Sequence, residues 1–142
     1  MKFLVSACLL GVKCRYDGKY AGKIDKLVKT DIFIPICPER LGGLPTPREP
    51  AEQKGERVFT ISGKDITEYF LRGAEKVLKI ARAQKIEIAI LKGNSPSCGC
   101  DLIHDGTFSG CLVPGYGITA ALLMQNGIGV VSGDAYLPGM SL

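Results

Sequence analysis

"DITEYFLRGAEKVLKIARAQKIEIAIL", residues 65–91, is the stretch whose reading decides the fold. Ile66, Tyr69, Phe70, Gly73, Val77, Ile80, Ala81 and Gln84 fall at helical spacing and make a mostly apolar stripe suited to packing on a sheet. Asp65 stands at the start with Glu68 three positions later, the pairing of a capping box. The spacing therefore predicts a helix over 65–84. "IEIAIL" (86–91) follows at once, short and rich in isoleucine, and reads as a strand. A helix running directly into such a strand is half of a βαβ unit.

The same rhythm extends on both sides. "KFLVSA" (2–7) is a short buried strand, and Asp17-Gly18 marks a turn after it. "DIFIPI" (31–36) is a second strand, and Pro35 moves it to an edge or a strand end. Residues 40–56 hold three prolines and three glycines and read as a long functional loop, followed by a small strand in "RVFTI" (57–61). A second helix spans about 117–126 and stops at Asn126-Gly127, and "IGVVS" (128–132) is the last strand. "YLPGMSL" (136–142) reads as a loose tail. The expectation is one α/β domain over residues 1–142, compact, three-layered and Rossmann-like, with a mostly parallel sheet. There is no internal repeat and no low-complexity segment.

The 142 residues are enough for one domain with a real core, and 46% hydrophobic against 23% charged residues places the chain among globular proteins. A net charge of +4 without a basic stripe lacks the footprint of a binder of large nucleic acids. "MKFLVSACLLGV" carries no small-residue cleavage pattern, and no run approaches the roughly 18 apolar residues of a membrane helix. A cytoplasmic location is expected. Oligomeric state leaves no mark in the sequence.

Six cysteines then need a role: Cys8, Cys14, Cys37, Cys98, Cys100 and Cys111. In a reducing compartment they point to metal or catalysis rather than disulfides, or to plain burial as small hydrophobes. Cys8, Cys37 and Cys98 each follow the carboxyl end of an expected strand. In open α/β sheets those ends share one edge, where ligands bind, so three thiols far apart in sequence can meet there. No Cys-x-x-Cys pair is present, and His104 is the only histidine, so a closed zinc site or a disulfide oxidoreductase is a poor match. An iron–sulfur cluster tolerates scattered thiolates and, with three of them, keeps one iron open. Spacing alone leaves the cluster, a three-cysteine zinc site and unconnected buried cysteines as alternatives. Glu39, two residues after Cys37, can move protons or bind an amide N–H, and the Arg48 fork can hold an anion or a planar carbonyl ligand.

"SACLLGVKCRYDGK" (6–19), "CPERLGGLPTPR" (37–48), "LKGNSPSCG" (91–99) and "DGTFSG" (105–110) resemble, in order, the signature blocks of the thiouracil desulfurase family. "GITAALLMQNGIGVVS" (117–132) looks like its closing helix and strand. The resemblance implies a [4Fe-4S] cluster held by Cys8, Cys37 and Cys98. It implies removal of sulfur from a small thiolated pyrimidine base or nucleoside, 2-thiouracil giving uracil and sulfide, by non-redox substitution at an open iron. Glu39 is then the candidate for proton transfer or substrate anchoring, Ser95 and Ser97 are candidates for hydrogen bonds to heterocycle or cluster, and Arg48 for substrate binding. Cys14 and Cys111 are not expected as ligands, and Cys100, two residues after Cys98, reads as a substitute ligand, a sulfur acceptor or a bystander. The competing readings are a carrier of a cluster, zinc or persulfide without catalysis, and a structural α/β domain with buried cysteines.

Overall fold

The computed structural model describes residues 1–24 and 30–136. In chain order its elements are β1 (Lys2–Ser6), β2 (Ile32–Ile36), α1 (Pro38–Leu41), β3 (Ala51–Lys54), β4 (Arg57–Thr60), α2 (Thr67–Ala83), β5 (Ile88–Leu91), β6 (Leu102–His104), β7 (Leu112–Pro114), α3 (Ile118–Gln125) and β8 (Gly129–Ser132). Four strands form a parallel sheet in the order β2-β1-β5-β8. The fold is the expected mixed α/β class. Pro35 sits in the edge strand β2, where its missing N–H removes no hydrogen bond from a central ladder.

Alternation along the strands splits the core in two. Leu4, Ile36, Ala89 and Leu91 face α2 and α3, packing with Val77, Leu78, Ala81, Ala120 and Leu123. Phe3, Val5 and Ile90 point the other way, toward Ala7, Leu9, Cys14 and Ile24 of the segment after β1. The sheet is thus the middle layer. The constant hand of parallel crossovers explains the division. The β1–β2 connection runs outward one way and covers one face. The connections bearing α2 and α3 run the other way and cover the opposite face. Phe70, Val77 and Leu4 are almost fully buried, and each such side chain contributes about 1.5–3 kcal/mol by leaving water.

Helix α2 begins at Thr67, two residues later than the pattern predicts. Asp65 Oδ1 accepts from the Thr67 N–H (3.0 Å) and hydroxyl (2.6 Å), while Oδ2 takes Arg57 Nε at 2.6 Å. Arg57 and the Thr67 donors hold the Asp65 carboxyl down at about 2. Among the described hydrogen bonds Glu68 does not complete the reciprocal half of the capping box; Asp65 instead pairs with Arg57.

Residues 40–56 depart from the expected continuous loop. The last two residues of α1 open the stretch, and β3 pairs antiparallel with β4 across the Gly55-Glu56 turn. Gly55 has φ +63°, the left-handed geometry a two-residue hairpin turn requires. A second hairpin, β6–β7, lies in a region where no strand is expected, because three-residue strands are too short for alternation to register. "YLPGMSL", after its first residue, lies outside the described residues.

Candidate active site

The chain steps from β1 to the edge strand β2 and then back across β1 to β5. Between β1 and β5 the connections diverge to opposite faces and leave a crevice at the carboxyl ends, the ligand position of open α/β sheets. A cavity of about 370 Å³ occupies it, within the range of small-ligand sites (about 300–1,000 Å³). Cys8, Cys37 and Cys98 all line it, one from the end of each of three neighbouring strands, as do Cys14, Glu39, Arg48, Ser95 and Ser97. The structure therefore brings every expected site residue to one cavity.

Each side chain is placed by local structure. Cys8 lies in a 3₁₀ turn, Ala7–Leu9, directly after β1, and its carbonyl accepts from Ala21 N (2.7 Å) and Gly22 N (3.1 Å). Cys37 caps α1, with Pro38 at the first helical position, where its missing N–H is harmless. Glu39 follows in the same turn and so projects from a fixed base.

The loop bearing Cys98 is braced on both sides. Ser95 Oγ accepts from Cys98 N at 2.7 Å, and Ser95 O accepts from Gly99 N at 2.9 Å. The first N–H groups of α3, which have no partner within a helix, donate to Pro96 O (2.8 Å) and Ser97 O (2.9 and 3.1 Å). Gly99 is glycine because a Cβ there would meet Ser95 O and Ile103 Cγ2, both at 2.7 Å. Gly117 likewise leaves room for Ser97 O and Cys98 N. The tightness is protein against protein.

A chain of hydrogen bonds links these pieces. Ser6 Oγ donates to Cys98 Sγ at 3.4 Å and accepts from Lys92 N at 2.9 Å. Ser97 Oγ donates to Glu39 Oε2 at 2.9 Å, with Cys98 Sγ a second acceptor at 3.6 Å. Glu39 Oε1 accepts from Arg48 Nε (3.2 Å) and Nη2 (3.1 Å). Arg48 also donates to Pro45 O, Thr46 Oγ1 and Cys14 O at 3.0–3.1 Å. That engages four of the five guanidinium N–H groups in hydrogen bonds. Arg48, expected as a substrate ligand, lines the cavity and also clamps Glu39.

Burial pushes the Cys98 thiol up to about 12 against the pull of the Ser6 and Ser97 hydroxyls. The contact with Cys14, then burial, raises Cys37 further. Burial thus disfavours the thiolates in the protein alone, and a bound cation would favour them. Among the described residues no three His, Cys, Asp or Glu side chains converge to hold one metal ion. Three thiols spaced around a cavity suit a multi-iron cluster, where each cysteine binds a different iron. Cys100 turns away, its Sγ toward Val130 O at 3.6 Å, and Cys111 is exposed.

Sequence reasoning missed Ser6, Glu52 and Asp134. Asp134 pairs with Lys92 Nζ at 3.1 Å and accepts from Gly93 N at 3.2 Å, anchoring the start of the cysteine loop. Glu52, buried in β3, accepts from Gly106 N (3.0 Å) and Phe108 N (3.1 Å), which explains the block "DGTFSG". The only sequence signal was polarity at residues that fold next to the cavity.

The 2-thiouracil desulfurase family matches residues 3–135. The chain is 48% identical over 141 residues to the uncharacterized protein YbbK of Bacillus subtilis (strain 168), covering 91% of this chain and 93% of that protein. Its fold superposes with a TM-score of 0.88, at 47% identity, on the solved structure of a [4Fe-4S]-dependent thiouracil desulfidase, TudS, covering 94% of this chain and 91% of the other. No helix among the described residues is long and apolar enough to cross a membrane. With its signature blocks gathered around one cavity, this chain belongs to the 2-thiouracil desulfurase family.

Proposed function

We infer that this chain is a [4Fe-4S]-dependent desulfurase that converts a small thiolated pyrimidine base or nucleoside, 2-thiouracil first among them, to its oxo form. The observation that carries this reading is the meeting of Cys8, Cys37 and Cys98 at the rim of three adjacent parallel strands, beside Glu39. These three cysteines are the proposed ligands. When bound, the cluster supplies a Lewis-acidic iron with affinity for sulfur. The overall change is a thiocarbonyl plus water giving a carbonyl plus hydrogen sulfide, with no net redox change.

The protein's part is positioning and proton handling. Glu39 Oε2 is the atom that takes a proton from the attacking water and returns one to the departing sulfur. Ser97 holds that oxygen at 2.9 Å, and Arg48 holds the other. Ser95 acts through the turn that presents Cys98. Arg48→Ala leaves a largely buried carboxylate unpaired. Discounted for the partial exposure of Glu39 (16%), the expected loss is about 2–4 kcal/mol of stability. The kcat is expected to fall roughly a hundredfold as Glu39 drifts. Urea unfolding and steady-state kinetics check both, and an unchanged kcat would remove the clamp from the account.

Anaerobic purification with iron and sulfide counts, followed by sulfide release from 2-thiouracil, tests the function. A brown protein with about four irons per chain and stoichiometric uracil is the expected result. A loaded cluster with no turnover of any thiolated pyrimidine would instead favour a carrier.

A further inference from the structure

The cavity holds a second carboxylate. Glu52 is 8% exposed, lines the same cavity as the thiols and forms no ion pair among the described residues. Its Oε1 accepts from Gly106 N and Phe108 N. Among the described residues its Oε2 has no hydrogen-bond partner. Half of the acceptor capacity of this carboxylate is thus open to a donor from a molecule bound in the cavity. Glu39 differs: Arg48 and Ser97 occupy both of its oxygens. His104, which lines the same cavity just before Gly106, leaves its Nδ1 buried and unpartnered. The cavity thus contains a polar wall, built by β3 and β6, that the thiol–Glu39 chemistry does not use.

The substrate class named above supplies the missing donor. A pyrimidine with thio and oxo groups carries ring N–H groups next to the carbon that bears sulfur. Resting on that functional reading, we propose that Glu52 is a specificity-determining residue whose Oε2 accepts a ring N–H of the thiolated pyrimidine. Its Oε1, tied to the 106–108 backbone, fixes the carboxylate plane. An N–H to carboxylate bond is charge-assisted and strong, and a site built to hydrogen-bond a group rejects analogues lacking it. The preferred substrates are therefore rings with that nitrogen unsubstituted.

The competing role for Glu52 is a brace for the 106–108 loop and nothing more. Glu52→Gln separates the two, because the amide oxygen still accepts from Gly106 and Phe108 while an NH₂ replaces the open oxygen. Anchoring predicts a KM for 2-thiouracil raised roughly 10- to 100-fold with little change in kcat. It predicts a matching loss of uracil affinity by calorimetry on the cluster-loaded protein. It also predicts that the wild type discriminates against one of the N1- and N3-methylated 2-thiouracils and that Glu52→Gln does not. A variant with wild-type KM and uracil affinity overturns the proposal. If the variant fails to fold, the wild type alone decides, since equal KM values for both methylated analogues and 2-thiouracil overturn it equally. A wild type that loads its cluster but turns over no thiolated pyrimidine is a failure of the functional reading, and the anchoring falls with it.

Discussion

Cys98→Ala, purified without oxygen, is expected to be colourless and inactive. Cys98 stands in the most heavily braced loop of the site, between Ser6 Oγ at 3.4 Å and Ser97 Oγ at 3.6 Å. Its neighbour Cys100 is not placed to take over, because it points toward Val130 O and lies outside the cavity lining. A Lewis-acidic metal contributes several kcal/mol to a substitution of this kind. At 1.36 kcal/mol per tenfold that is a loss of roughly a thousandfold or more. Cys100→Ala and Cys111→Ala, treated in parallel, are expected to keep colour and turnover. Iron analysis and absorbance near 400 nm read the outcome directly. A Cys98→Ala protein with full iron, or a Cys100→Ala protein without it, would show the ligand assignment to be wrong.

The second large effect comes from a residue with no chemistry. Gly73 lies in α2, and a Cβ there would collide with the backbone carbonyl of Pro38 in α1; Gly42 meets the Tyr69 carbonyl in the same way. Two backbones therefore touch where the helices cross. Alanine at Gly73 gains about 1 kcal/mol of helix propensity. Overpacking costs typically 1–3 kcal/mol and more where neither side can yield, and a backbone carbonyl cannot turn aside as a flexible side chain would. The clash wins, and Gly73→Ala is expected to lose a net ~2–3 kcal/mol, a drop of several degrees in melting temperature. The damage reaches the site because α1 begins at Cys37 and carries Glu39. Iron content is expected to fall in the variant even below its melting temperature. Thermal unfolding with the wild-type midpoint would show that α1 and α2 separate freely.

Much of the frame was legible along the chain. The stripe of α2 and the apolar runs of β1, β2, β5 and β8 follow from spacing alone, because a parallel sheet covered by helices buries continuous apolar strands. The hairpin β6–β7 and the short α1 were not legible, since three or four residues carry no period. Glycine offers the same contrast. Gly99 is required by close neighbours from the fold, Ser95 O and Ile103, which the sequence around it does not announce.

The site divides along the same line. That Cys8, Cys37 and Cys98 follow strand ends is a property of sequence, and parallel pairing then obliges them to share a rim. That Arg48 clamps Glu39 is a tertiary fact, because only the fold brings Cys14 O, Pro45 O and Glu39 to its donors. Glu52 belongs to the same class: its open oxygen has meaning only because β3 and the 106–108 loop close beside the cavity. Periodicity and strand order are written locally and survive in one dimension. The partners of a buried polar group come from distant residues, so its role is decided only when the chain has folded around it.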